Sequence, residues 1–254
     1  MESVIIEFKK NFIYRSDVLF SVFGSMITIL VQIALWKYLY RNEQIMINYM
    51  MCYVIVANII SIIYSNRIYN ILSEKIHTGN LVFDLIRPMN ILVMSYLRSL
   101  GEVLAKGLLQ ILPLLLVFSP IMIRIIKYQN IFYFILAVAC GHILFTLIYA
   151  IIGFSSFLIV ESWAFRRLID DTIRFVSGAV MPLAIFPAKL AIVAKLLPFH
   201  YLYDFPLQLL LEDHLNLTRM MYGFGGIITW IIILSVVLYF VYKISIKHCV
   251  VQGG

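Results

Sequence analysis

Two adjacent aspartates, Asp170 and Asp171, sit among three arginines, Arg166, Arg167 and Arg174. Spacings of three, four and seven put all five on one helical face, where carboxylate and guanidinium pair at i, i+4. Such carboxylates hold a divalent cation on a diphosphate only when several more converge on them. The other adjacent pair near a membrane face is Glu212-Asp213. The cluster therefore reads as a solvated ion-pair network, with metal-dependent lipid chemistry as the sharper alternative. Arg98, Glu102 and Lys106 recur at i, i+4 and i+8, a helix entering a membrane with its charges paired. The G-x-x-x-x-G-K-[ST] phosphate loop, the H-E-x-x-H zinc motif and the G-x-S-x-G nucleophile turn are absent from the sequence. Cys52, Cys140 and Cys249 lie in or beside apolar runs without paired spacing, so neither a disulfide framework nor a zinc site is expected.

The elements that must carry these groups are membrane helices. Of the 254 residues 63% are hydrophobic and 13% charged, against roughly 25% charged in soluble domains. Mean hydropathy is +0.96. So apolar a chain has too little polar surface to cover a water-soluble globule, which excludes an ordinary cytosolic enzyme and a disordered protein. Long unbroken apolar runs argue against a β-barrel, whose strands alternate. The net charge of +7 fits basic loops facing anionic lipid, not nucleic acid. No cleavable secretory leader is read at the N-terminus.

Six spans of the required ~20 residues are expected: Val18–Leu39, Ile45–Tyr64, Lys106–Ile123, Ile131–Val160, Thr172–Phe186 and Met221–Val241. Before the first, residues 1–17 place Val4, Ile5, Phe8 and Phe12 on one face and Glu2, Glu7, Lys9, Lys10 and Asn11 on the other, an amphipathic interfacial helix. The six-span domain would fill 18–254. With the N-terminus in the cytoplasm, thirteen of the 20 Lys and Arg fall on cytoplasmic segments and seven outside. The bias puts both termini in the cytoplasm.

Two connections are long. The cytoplasmic link 65–105 contains Ser73-Glu74-Lys75-Ile76-His77-Thr78-Gly79, a short helix with Ser73 as N-cap and Gly79 as its stop. Further on, Arg87 precedes Pro88, where a helix would end. The outer connection 187–219 is apolar but broken by Pro187, Pro198 and Pro206. Two short helices dipping into the outer leaflet as a re-entrant hairpin fit this pattern. Gln32, Asn58, Gln110 and His142 are polar inside spans. They line a translocation path, or they make interhelical hydrogen bonds; both readings stay open. Buried ionisable groups are too few for a proton- or sodium-driven pump.

This order of elements resembles the permease subunit of an ABC type-2 transporter. Gly79-Asn80-Leu81-Val82-Phe83-Asp84-Leu85-Ile86-Arg87-Pro88 is similar to the Gly…Leu-x-Arg-Pro stretch of one bacterial branch. Met181-Pro182-Leu183-Ala184-Ile185-Phe186-Pro187 and Leu197-Pro198-Phe199 are similar to its Pro-rich segment after the fifth span. The resemblance implies an all-α membrane protein of the bacterial inner membrane that pairs with a second half-permease, identical or a sister chain. It implies a separate ABC ATPase subunit carrying ATP and magnesium, and no cofactor on this chain. Ser73, Glu74, Lys75, Ile76, His77 and Thr78 would then form the ATPase-coupling helix, with Arg87 beside it. Gln32, Asn58, Gln110 and His142 would line the path. Pro187, Pro198, Phe199 and Pro206 would form an outer gate. The competing readings are a membrane-embedded lipid-modifying enzyme built on Asp170-Asp171, and an ATP-independent channel or scaffold.

Overall fold

The computed structural model describes residues 15–64, 67–78, 91–158, 162–212 and 216–252. Residues 1–14, and with them nearly all of the expected interfacial helix, lie outside the described residues. Among the described residues there are ten α-helices: α1 (Arg15–Leu39), α2 (Gln44–Ile63), α3 (Arg67–His77), α4 (Ile91–Lys106), α5 (Leu112–Met122), α6 (Tyr128–Phe154), α7 (Ser162–Val176), α8 (Ala188–Leu196), α9 (Asp204–Leu211) and α10 (Leu217–Gln252). Among the described residues, five helical stretches are long and apolar enough to cross a membrane: Ser16–Leu39, Gln44–Ile76, Leu92–Met122, Tyr128–Phe154 and Leu217–Lys247. The protein is thus an all-α, multi-pass membrane bundle with five such helices.

The expected count of six is corrected at Thr172–Phe186. Helix α7 starts earlier, at Ser162, carries five charged residues in its 15, and ends at Val176. Gly178 follows with φ of 86°, the one positive φ among the described residues, a left-handed conformation that stops a helix. Pro182 and Pro187 then hold the chain extended on either side of a 3-10 turn at Leu183–Ile185. No continuous apolar helix of spanning length forms there.

The re-entrant hairpin over 187–219 is corrected as well. Its segment folds as α8 and α9 around a 3-10 turn at Pro198–Tyr201, and each of the two helices packs on that turn. Helix α8 is largely exposed. Helix α9 is buried against α6 and α2, with Asp204, Phe205, Leu207, Leu209 and Leu210 in the core. The charge of Asp204 and the apolar mass of the Leu run favour burial within the bundle over exposure to lipid. Pro206 lies in the first turn of α9, where its missing N–H costs nothing.

Helix α2 is the axis of the bundle. Nearly every residue from Met50 to Ile60 is buried, which is why its sequence reads apolar on all faces. Helix α1 packs along one side of it, and α6 joins α3, α9 and α10 on the other. Helices α6 and α10 run parallel. Ser245 Oγ donates to the Phe154 carbonyl at 2.7 Å at one end, and Asn130 Nδ2 donates to the Glu212 carbonyl at 2.9 Å at the other. We call these the near and far ends. Helices α7 to α9 lead the chain back from the near end to the far end.

Two prolines interrupt the third long helix without breaking it. Pro113 has no N–H for the turn before it, and residues Gly107–Ile111 widen into a π turn. Pro120 leaves the Leu116 carbonyl without its usual donor, and Ser119 Oγ supplies one at 2.9 Å.

Helix α10 meets the turn before α9 through two glycines. A Cβ on Gly223 would lie 2.0 Å from the Phe205 ring, and one on Gly226 would lie 1.9 Å from the Tyr201 hydroxyl. Gly223→Val is expected to displace the Phe205 ring and cost about 1–3 kcal/mol. Thermal unfolding of the detergent-solubilised chain measures this; an unchanged midpoint would mean that the ring moves without loss.

Candidate functional site: a charged cavity between α2, α6 and α7

Helix α7 is amphipathic. Ile173 is buried against the bundle, and the charged row Arg166, Arg167, Asp170, Asp171, Arg174 turns to a cavity of about 540 Å³. Tyr64 and Ser61 of the α2 end, Phe145 and Tyr149 of α6, and Tyr203 just before α9 complete its walls. Two residues fasten α7 in place. Tyr149 donates a short hydrogen bond to Asp170 Oδ1, and Arg166 Nε faces Asp170 Oδ2 at 3.4 Å. Arg166 also donates to Asn70 Oδ1 and lies over the Tyr69 ring, 5.2 Å from its centroid. One guanidinium thereby ties α7 to α3, with charge-assisted and cation–π contacts together. Across the cavity the Ser61 and Tyr203 hydroxyls meet at 3.1 Å.

The sequence cluster is thus a built wall. The i, i+4 pair Arg166–Asp170 forms as the spacing predicts. Asp170 is engaged by both a phenol and a guanidinium, one on each oxygen, and the arrangement suits binding better than base catalysis. Among the described residues, no three His, Cys, Asp or Glu side chains come together as metal ligands. Sequence reading missed Tyr149, Tyr203, Ser61 and Asn70. No spacing connects Asn70 with Arg166 across 96 positions.

The four polar residues of the spans are not linked into one hydrogen-bonded set. Asn58 Nδ2 donates to Gln32 Oε1 at 2.8 Å and to the Val54 carbonyl at 2.8 Å, an interhelical bond between α1 and α2. Gln110 is buried in the π turn. It has no hydrogen bond to the other three. His142 is 5% exposed, and both of its ring nitrogens lack a partner among the described residues. It lies between the rings of Tyr64 and Tyr96, at centroid distances of 6.4 and 5.6 Å. Tyr64 is also a wall of the charged cavity.

The stretch expected to couple to an ATPase is the last turn of α3, not a separate helix. Ser73 is buried inside α3, so it does not act as an N-cap. Ile76 is buried as well, Lys75 is half-buried, and Glu74 and Thr78 are exposed. The side chain of His77 and all of Arg87 lie outside the described residues. The four gate candidates are dispersed. Pro187 is exposed at the start of α8, and Pro206 is buried in α9. Pro198 and Phe199 line an apolar groove of about 430 Å³ on the other face of α7. A broader depression of about 990 Å³ lies at the far end, between residues 40–50 and 182–185.

Residues 26–253 match the family described as ABC-2 family transporter protein. No curated protein matches the sequence.

Proposed function

The chain belongs to the ABC-2 transporter family, and we propose that it is the transmembrane permease subunit of an ATP-driven exporter. The observation that carries this reading is a family match over nearly the whole chain, on a bundle with five long apolar helices. A second half-permease, identical or a sister chain, completes the translocation path. ATP hydrolysis takes place, with magnesium, on a separate ABC ATPase subunit. The chain resides in the bacterial inner membrane with its near end, and both termini, in the cytoplasm.

The near end has the features that docking needs. Helix α3 presents Glu74 and Thr78 outward while Ile68, Leu72 and Ile76 anchor it on the bundle. Force applied to its last turn therefore reaches α6 through packed side chains. Arg166 joins α3 to α7, so the same motion reaches the wall of the charged cavity. In this reading the cavity is where cargo waits before the bundle moves.

The test is co-purification. The full chain, tagged and extracted from native membranes in mild detergent, is expected to bring with it an ATPase bearing a phosphate loop. A second permease chain alongside would identify a heterodimer. Recovery of this chain alone, even after crosslinking in the membrane, would remove the energy source and with it the exporter reading.

A further inference from the structure

We infer that the cavity between α2, α6 and α7 binds an anionic phosphate or carboxylate group, carried by a lipid headgroup or free in solution. The permease reading enters at one point only, in making the bearer of that anion the cargo.

Charge balance is the first argument. Arg166 and Asp170 cancel each other and are held by Tyr149 and Asn70. Arg167 and Arg174 also line the cavity, both exposed, and neither is ion-paired among the described residues. Seven residues separate them, about two turns or roughly 10 Å along the helix. Asp171 lies between them and offsets one charge, so the wall keeps a net positive charge. A guanidinium presents a planar donor fork that matches phosphate and carboxylate oxygens.

Surroundings are the second argument. Tyr149 and Tyr203 already use their hydroxyls on Asp170 and Ser61. The donors left for a ligand are therefore chiefly the two guanidiniums, set across from the rings of Tyr64, Phe145, Tyr149 and Tyr203. The volume, about 540 Å³, falls within the range of roughly 300–1,000 Å³ typical of ligand sites.

The experiment measures binding of radiolabelled dodecyl phosphate to the full chain in phosphatidylcholine nanodiscs. Saturable binding is expected for the natural sequence. The double variant Arg167→Gln with Arg174→Gln should weaken it about tenfold or more, the effect of losing charge-assisted bonds. Asp171→Asn should tighten it several-fold, a gain that misfolding cannot produce. Competition then separates the sources of the headgroup. Displacement by phosphatidylglycerol identifies a lipid, displacement by inorganic phosphate at equal concentration identifies a free anion, and each keeps the anion site. Equal displacement by dodecyltrimethylammonium, or unchanged affinity in the double variant, overturns the inference. The assay uses no ATPase, so its failure leaves the co-purification result standing, and the reverse holds too.

Discussion

Glu74→Arg combined with His77→Ala is expected to leave the protein folded and to cut ATP-coupled export about tenfold or more, the usual scale for reversing a charge at the centre of a docking surface. Helix α3 divides its labour between faces. Ile68, Leu72 and Ile76 are buried, and Leu72 comes so close to Gly153 of α6 that a Cβ there would lie 3.1 Å from it. Glu74 points away from this contact and is exposed. Its backbone carbonyl accepts from the Thr78 N–H at 2.9 Å and the Thr78 hydroxyl at 2.8 Å. Those bonds close the helix end, and a new side chain at 74 leaves them intact. The change at 74 therefore alters what a partner meets, not what the bundle packs. ATPase rate and export are measured together on the reconstituted complex. Hydrolysis without export is the expected result. Unchanged coupling would place the docking surface elsewhere, and Leu72→Ala serves as the contrast, lowering stability by about 2–5 kcal/mol through a cavity.

The long helices were legible because a membrane core demands ~20 apolar residues in a row, and composition alone reveals that. What composition hides is where a helix stops. Apolar residues continue from Ile173 to Phe186, yet the helix ends at Val176 because Gly178 turns left-handed. The reverse also occurs. Pro120 would ordinarily break a helix, but the expected span Lys106–Ile123 runs through it because Ser119 supplies the missing donor. The charged cavity was half legible. Arg166 and Asp170 pair at the spacing that a helix dictates, whereas Asn70, Tyr149 and Tyr203 reach the cluster only through tertiary packing. Gln32 and Asn58 were open to two readings, and the structure shows them hydrogen-bonded to each other between α1 and α2. The hairpin failed for a related reason. Pro187 and Pro198 mark turns correctly, whereas Pro206 lies inside α9, and none of the three says which face of that helix carries a buried carboxylate.

That carboxylate is the other site where a single substitution should have a large effect. Asp204 is 1% exposed. Its Oδ1 accepts from the Leu183 N–H at 3.1 Å, its Oδ2 accepts from Gln208 Nε2 at 2.8 Å, and its own N–H donates to the Ser177 carbonyl at 3.0 Å. Beside it Tyr53 donates to the Gly178 carbonyl at 2.6 Å. A Cβ on Gly178 would lie 2.9 Å from that of Asp204. These bonds tie the end of α7, the 3-10 turn, α9 and α2 at one point, so α7 holds its place over the cavity only while they last. Asp204→Ala strands a buried N–H and an amide and is expected to cost about 3 kcal/mol, read as a fall in Tm of roughly 10 °C. Asp204→Asn keeps an acceptor for Leu183 and tests what the charge itself does. Burial pushes the Asp204 carboxyl above the usual carboxylate range, against the opposing pull of the Leu183 N–H, Lys195, Gln208 and Arg219. A carboxyl whose folded pKa is raised favours the folded state most when protonated, below its unfolded pKa, and that contribution is lost as pH rises through the folded value. At pH 7 to 8 the asparagine variant should therefore match or exceed the natural protein in Tm, and its advantage should shrink on acidification. Should Asp204→Asn prove as damaging as Asp204→Ala at neutral pH, the charge would be what holds the junction, and the burial argument for this residue would fail.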